Sequence, residues 1–151
     1  MEAGWKEMKI VIAIDSFKGC MTSLEAGHAA EDGVRRVFSN AEILVRPMAD
    51  GGEGTVEALT PGLGGVIHTA RVRGPLGEEV DCRYGIVERE KLGIIEMAGA
   101  AGITLIKPEE RNPLLTSTYG VGQVILEAVK AGCRRFLMGI GGSATNDGGL
   151  G

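Results

Sequence analysis

The sequence predicts an α/β protein built on a parallel sheet, with a β-rich subdomain inserted into it. Three observations carry that expectation. Two short runs of branched apolar residues, Met8–Ile14 and Glu42–Pro47, flank a stretch with helical spacing, which is the pattern of a strand, helix and strand unit. Between Gly65 and Lys107 the texture changes to apolar runs broken by turn residues, which reads as antiparallel hairpins. Glycine supplies 25 of 151 residues, about 17% against a usual figure near 7%. The glycines cluster after apolar runs and keep no fixed period, so they mark loops where backbone must approach another group closely.

Taken in order, MKIVIAI (Met8–Ile14) reads as a strand buried on both faces of a parallel sheet, ending at Asp15. Thr22 and Glu25 have capping-box spacing, and Ala26, Ala30, Val34, Val37 and Phe38 recur at helical intervals, so a helix is predicted from about Ser23 to Phe38. EILVRP (Glu42–Pro47) is a second buried strand, and a right-handed crossover would bring the loops after both strands to one edge. The loop ADGGEG leads into a short helical stretch, TVEAL, that TPGLGG stops. VIHTARVRG, EEVDCRYGIVE and KLGIIEMAG follow as strands, separated by PLGE and REK. Helical period returns from Thr118 through Val121, Val124, Ile125 and Ala128, with Gly132 as the helix C-cap. RRFLMGI (Arg134–Ile140) is another buried strand, emptying into GGSATNDGGLG.

The pattern is that of a Rossmann-like or flavodoxin-like sheet, in which ligands bind beyond the carboxyl ends of the strands. Residues 1–7 read as an N-terminal extension, 8–64 as the first part of the parallel domain, 65–112 as the β-rich segment, and 113–151 as a helix, a strand and a glycine-rich loop. A domain seldom stops in such a loop just after a core strand, so the chain is expected to be truncated.

Composition removes several classes. Sixteen Lys and Arg against twenty Asp and Glu give a formal charge of −4, so no basic surface for nucleic acid is expected. Apolar residues make up 44%, enough for one core. No apolar run approaches the roughly 18 residues of a membrane span, and Met1–Lys9 lacks the apolar stretch of a secretion signal. A soluble, cytoplasmic protein with no membrane partner is expected. Cys20, Cys82 and Cys133 form no Cys-x-x-Cys pair and read as ordinary buried thiols. Met48, Met97 and Met138 read as core filler, and His28 and His68 as surface or satisfied structural side chains.

Three loops can carry chemistry. Asp15-Ser16-Phe17-Lys18-Gly19 brings together an acid, a hydroxyl, a cation and a glycine at a strand end. Lys18 can offer a point charge to phosphate, and Asp15 can hold a metal or accept a proton; the plainer reading has Asp15 capping nearby amides and Lys18 in solvent. Asp50-Gly51-Gly52-Glu53-Gly54 sets two carboxylates among amides ahead of a helix start, an arrangement that serves phosphate through Mg²⁺ or is simply a glycine turn. Gly141 to Gly149 supplies successive small residues, two hydroxyls, an amide and a carboxylate, suited to an anion-binding nest or to a structural loop. It matches no Walker or dinucleotide pattern.

Together KIVIAIDSFKG, ADGGEGT, IEMAGAAG, ERNPLLTSTYG and GIGGSATNDGG resemble, in order and spacing, the N-terminal portion of bacterial glycerate kinases of the type I family, from Met8 to Gly151. The resemblance implies an ATP-dependent kinase acting on a hydroxyl of D-glycerate, with an α/β domain intertwined with a second mixed domain. By motif position it implies Lys18, Asp50 and Asp147 as catalytic residues, with Asp50 and Asp147 also candidates for Mg²⁺. It further implies Asp15, Ser16, Arg111 and Asn112 as substrate-binding residues. Gly51, Gly52, Gly54, Gly141, Gly142, Ser143, Thr145 and Asn146 would lie around the nucleotide phosphates. The family usually has Pro where Ile14 stands, and its members continue well beyond Gly151. Two other readings remain: a non-catalytic fragment, and a module that binds small acids or phosphate without transferring a group.

Overall fold

The computed structural model describes residues 8–17 and 20–151. They form two compact units, Met1–Ala49 and Asp50–Gly151. The α/β class is borne out, with a parallel strand pair in the first unit and a mixed four-stranded sheet in the second.

In the first unit, β1 (Lys9–Ile14) and β2 (Glu42–Pro47) run parallel, with Lys9 opposite Glu42 and Ile14 opposite Pro47. Helix α1 (Ser23–Val37) connects them. Its start is set locally, because Thr22 Oγ1 accepts the Glu25 amide at 3.2 Å while Glu25 Oε2 accepts the Thr22 amide at 2.7 Å. That is the capping box the spacing predicts. The helix seats Gly27 on β2, where an added Cβ would run into the Val45 side chain. β1, predicted to be buried on both faces, buries only Ile12. Within this unit each strand has one ladder neighbour and a single helix for cover, so most of the apolar run stays accessible. Cys20 and Met48, predicted to be interior, are also exposed.

The second unit begins with α2 (Thr55–Gly62), which carries Pro61 in its last turn rather than stopping before it. β3 (Val66–Arg73), β4 (Glu79–Val87) and β5 (Leu92–Glu96) form the predicted antiparallel meander. Its turns hold Gly77 at φ +97° and Lys91 at φ +49°. Short α3 (Ala98–Ala101) and longer α4 (Tyr119–Lys130) follow, with Gly132 at φ +99° ending α4 as predicted. β6 (Arg135–Gly139) then pairs parallel with β5, placing Gly139 opposite Glu96 in the order β3-β4-β5-β6.

Alternation along β5 divides the core. Leu92 and Ile94 pack with Val56 and Val87 beneath α2, whereas Ile95 packs with Val121, Val124 and Ala128 of α4. Ile94 and Ile95 are fully buried, each stabilising the fold by about 1.5–3 kcal/mol relative to exposure. β6 departs from its predicted burial: Arg135, Phe136 and Leu137 are exposed and only Gly139 is buried. As the edge strand it has β5 alone as a neighbour. Arg134 donates to the carbonyls of Val129 and Cys133, fixing the turn between α4 and β6. No helix among the described residues is long and apolar enough to cross a membrane.

Candidate functional site

The loop before α2 and the loop after β6 meet backbone to backbone. The Gly141 amide donates to the Gly51 carbonyl at 2.8 Å. Side chains are excluded from this contact, since a Cβ on Gly139 would lie 2.5 Å from the Gly51 carbonyl oxygen and one on Gly141 would lie 2.9 Å from Gly52 Cα. Gly51 at φ +92°, Gly54 at φ +85° and Gly142 at φ +70° adopt left-handed backbone that L-residues rarely take. Two of the three loops singled out in the sequence therefore form one structure.

The glycine-rich loop is laced to its surroundings. The Ile103 amide donates to the Gly142 carbonyl at 2.9 Å, and the Ala144 amide to the Ala101 carbonyl at 2.9 Å. Thr116 Oγ1 donates to the Ala144 carbonyl at 2.8 Å, while Ser143 Oγ lies 2.9 Å from Thr145 Oγ1 and accepts the Thr145 amide at 3.1 Å. Asp147 ties the far end of the loop to the start of α4. It accepts the Thr118 amide at 2.6 Å, the Thr118 hydroxyl at 3.0 Å and the Gly149 amide at 3.1 Å. Burial works to raise its carboxyl, but the amides of Thr118 and Gly149 outweigh it and hold the group below the usual aspartate range.

Between this loop and the segment after α3 lies an open pocket of about 220 Å³. Arg111, Asn112 and Pro113 line one side, Ser143, Ala144 and Thr145 another, and Ile103 and Ile106 complete it. Arg111 Nε donates to the Ile106 carbonyl at 3.3 Å, and Asn112 Oδ1 accepts the Leu114 amide at 3.0 Å, so both side chains are oriented by backbone. A planar cation beside hydroxyls and a glycine-rich turn suits a small carboxylate or phosphate.

The other candidates lie as follows. In the first unit, Asp15 Oδ1 accepts the amide of its neighbour Ser16 at 2.6 Å. Lys18 is outside the described residues. Asp50 is exposed, with Oδ1 accepting the Gly52 amide at 2.9 Å, and Asn146 is exposed. Glu53 accepts the Thr104 hydroxyl at 2.7 Å. No group of three or more His, Cys, Asp or Glu side chains gathers to hold a metal among the described residues. A Mg²⁺ ion shared with nucleotide phosphates needs only one or two carboxylates, a count that the exposed Asp50 alone meets.

Sequence reasoning passes over Glu96. It is the last residue of β5 and only 9% exposed. Oε2 accepts the Val56 amide at 3.1 Å, so the carboxylate sits at the first turn of α2. Burial pushes its carboxyl above the usual glutamate range, the Val56 amide opposes the rise and the charge of Glu57 adds to it. A charge ending the otherwise apolar run LGIIE is the one signal that points to it in sequence.

The fold and site define an α/β protein in which two glycine loops are joined and one of them borders an open pocket beside Arg111. Comparison with known proteins is more specific. The glycerate kinase family model matches residues 10–151, and the chain belongs to that family. It is similar to glycerate kinase of Halalkalibacterium halodurans, 52% identical over 142 residues, which is 94% of this chain and 37% of the relative. It is 48% identical over 144 residues to glycerate 2-kinase of Escherichia coli, covering 95% of this chain and 38% of that protein. A crystal structure of a candidate glycerate kinase 2 from Salmonella typhimurium LT2 superposes with a TM-score of 0.82 at 46% identity, over 96% of this chain and 39% of that one. The chain thus spans under two-fifths of the length of the relatives it matches.

Proposed function

We propose that the polypeptide carrying this sequence is a cytoplasmic, ATP-dependent kinase that phosphorylates a hydroxyl of D-glycerate. The observation that carries this reading is the pocket that Arg111 and Asn112 line together with Ser143 and Thr145 of the glycine-rich loop. Arg111 and Asn112 hold the carboxylate of glycerate and thereby fix the distance from it to the accepting hydroxyl. Gly51, Gly52, Gly54, Gly141 and Gly142 would let the phosphates approach the backbone closely, with Ser143, Thr145 and Asn146 supplying polar groups beside them.

Asp50 would hold Mg²⁺, with Asp147 a second candidate; the ion, when bound, neutralises charge on the transferring phosphoryl group. The motif resemblance assigns Lys18, Asp15 and Ser16 to phosphate or substrate as well. Asp147 serves chiefly to fix the glycine-rich loop on α4, because its oxygens already accept bonds from Thr118 and Gly149. An assay with ATP, Mg²⁺ and D-glycerate, with the product identified by NMR, tests the proposal. Phosphoglycerate formed in step with ADP supports it; ADP release that does not depend on glycerate, or no turnover, overturns it.

A further inference from the structure

We propose that Glu96 is a positioning residue that fixes the Asp50–Gly54 loop through the Val56 amide in the first turn of α2. Four observations place it there. The helix begins at Gly54 without a side-chain cap from its own flank, so its first amides need an acceptor from elsewhere. Glu96, 40 residues onward, supplies one, taking the Val56 amide at 3.1 Å. The strand that carries Glu96 is buried throughout, so the carboxylate is mounted on the most rigid part of the unit. Gly139, its neighbour across the β5–β6 ladder, is the residue pressed against the Gly51 carbonyl.

Glu96 and Gly139 therefore hold the loop at both ends. Glu96 sets where it enters α2, and Gly139 sets how closely Gly51 approaches β6. A buried carboxylate is costly in an otherwise apolar strand, and the Val56 amide offsets that cost only while the loop and helix keep this geometry. The site function assigned here rests on the kinase reading; the positioning does not.

The experiment compares Glu96→Ala and Glu96→Gln in the complete polypeptide. Gln retains an acceptor oxygen and the side-chain volume, so it guards against failure of the Ala variant to fold. In Glu96→Ala, hydrogen exchange at Val56 accelerates about tenfold or more while α4 amides keep their protection, because capping is lost locally. The displaced loop lowers kcat/KM for ATP about tenfold or more, with KM for D-glycerate unchanged. Glu96→Gln recovers most of both effects. Unchanged exchange at Val56 overturns the inference, as does a fall in kcat alone that tracks lost thermal stability with neither KM altered. If the unsubstituted protein does not phosphorylate glycerate, the kinase reading falls while the exchange measurement still decides the role of Glu96.

Discussion

Gly51 and Gly141 lie 90 residues apart in sequence and share a 2.8 Å hydrogen bond, amide of the second to carbonyl of the first. The contact makes two glycine loops a single surface, and a side chain at Gly139 or Gly141 forces them apart.

Gly139→Ala places a methyl group 2.5 Å from the Gly51 carbonyl oxygen, and costs about 1–3 kcal/mol through backbone displacement. Gly122→Ala is the control: it lies exposed in α4 with nothing near its Cβ position, and gains roughly 0.5–1 kcal/mol from helix propensity. Urea denaturation of the two variants should give opposite signs.

Asp147 links the glycine loop to α4, and its pH dependence has a definite sign. Its carboxyl is held below the ordinary value of 3.8, so it contributes stability above that pH that disappears as pH falls through the folded value. Asp147→Asn removes this contribution and flattens the acid limb of the stability curve below about pH 4. Denaturation midpoints measured from pH 3 to pH 7 check it, and parallel curves for the two proteins would exclude it. Glu96 runs in the opposite sense, since a raised carboxyl contributes most at low pH and loses that contribution as pH rises.

Arg111 is aligned by the Ile106 carbonyl and borders the pocket. Arg111→Lys loses the planar fork and raises KM for D-glycerate about tenfold or more, leaving KM for ATP within about twofold. Steady-state kinetics with each substrate varied separately distinguish this from a general loss.

Thiol chemistry reports burial. Burial first, then the charges of Glu96 and Glu57, push the Cys82 thiol up to about 12, and Cys133 is raised by burial. Cys20 is exposed. Iodoacetamide at pH 8 should label Cys20 alone in the folded protein and all three cysteines after denaturation, read by mass spectrometry.

How far the sequence reveals this structure depends on the range of each interaction. The Thr22–Glu25 capping box, the Gly132 helix end and the β3–β4–β5 meander are set by residues close in the chain, and periodicity finds them. The seat of β6 is not local. RRFLMGI reads as a buried strand, yet only its β5 partner, reached through α4, makes it an exposed edge. Glu96 escapes for the same reason, since its partner is the Val56 amide of a helix 40 residues earlier. Asp147 is visible in sequence as a loop carboxylate, but its bonds to Thr118 cannot be read from spacing. Arg111 and Asn112 are marked by motif resemblance, and the pocket they share with Ser143 and Thr145 comes from folding alone.

The central claim is that a small hydroxy acid binds between Arg111 and the Ser143–Thr145 turn. Titration of the complete, isotope-labelled polypeptide with D-glycerate tests it most directly, following amide resonances by NMR. Saturable shifts centred on Asn112, Ser143, Ala144 and Thr145, abolished in Arg111→Ala, are predicted. Saturable shifts confined to other residues, or none at millimolar glycerate, would contradict it.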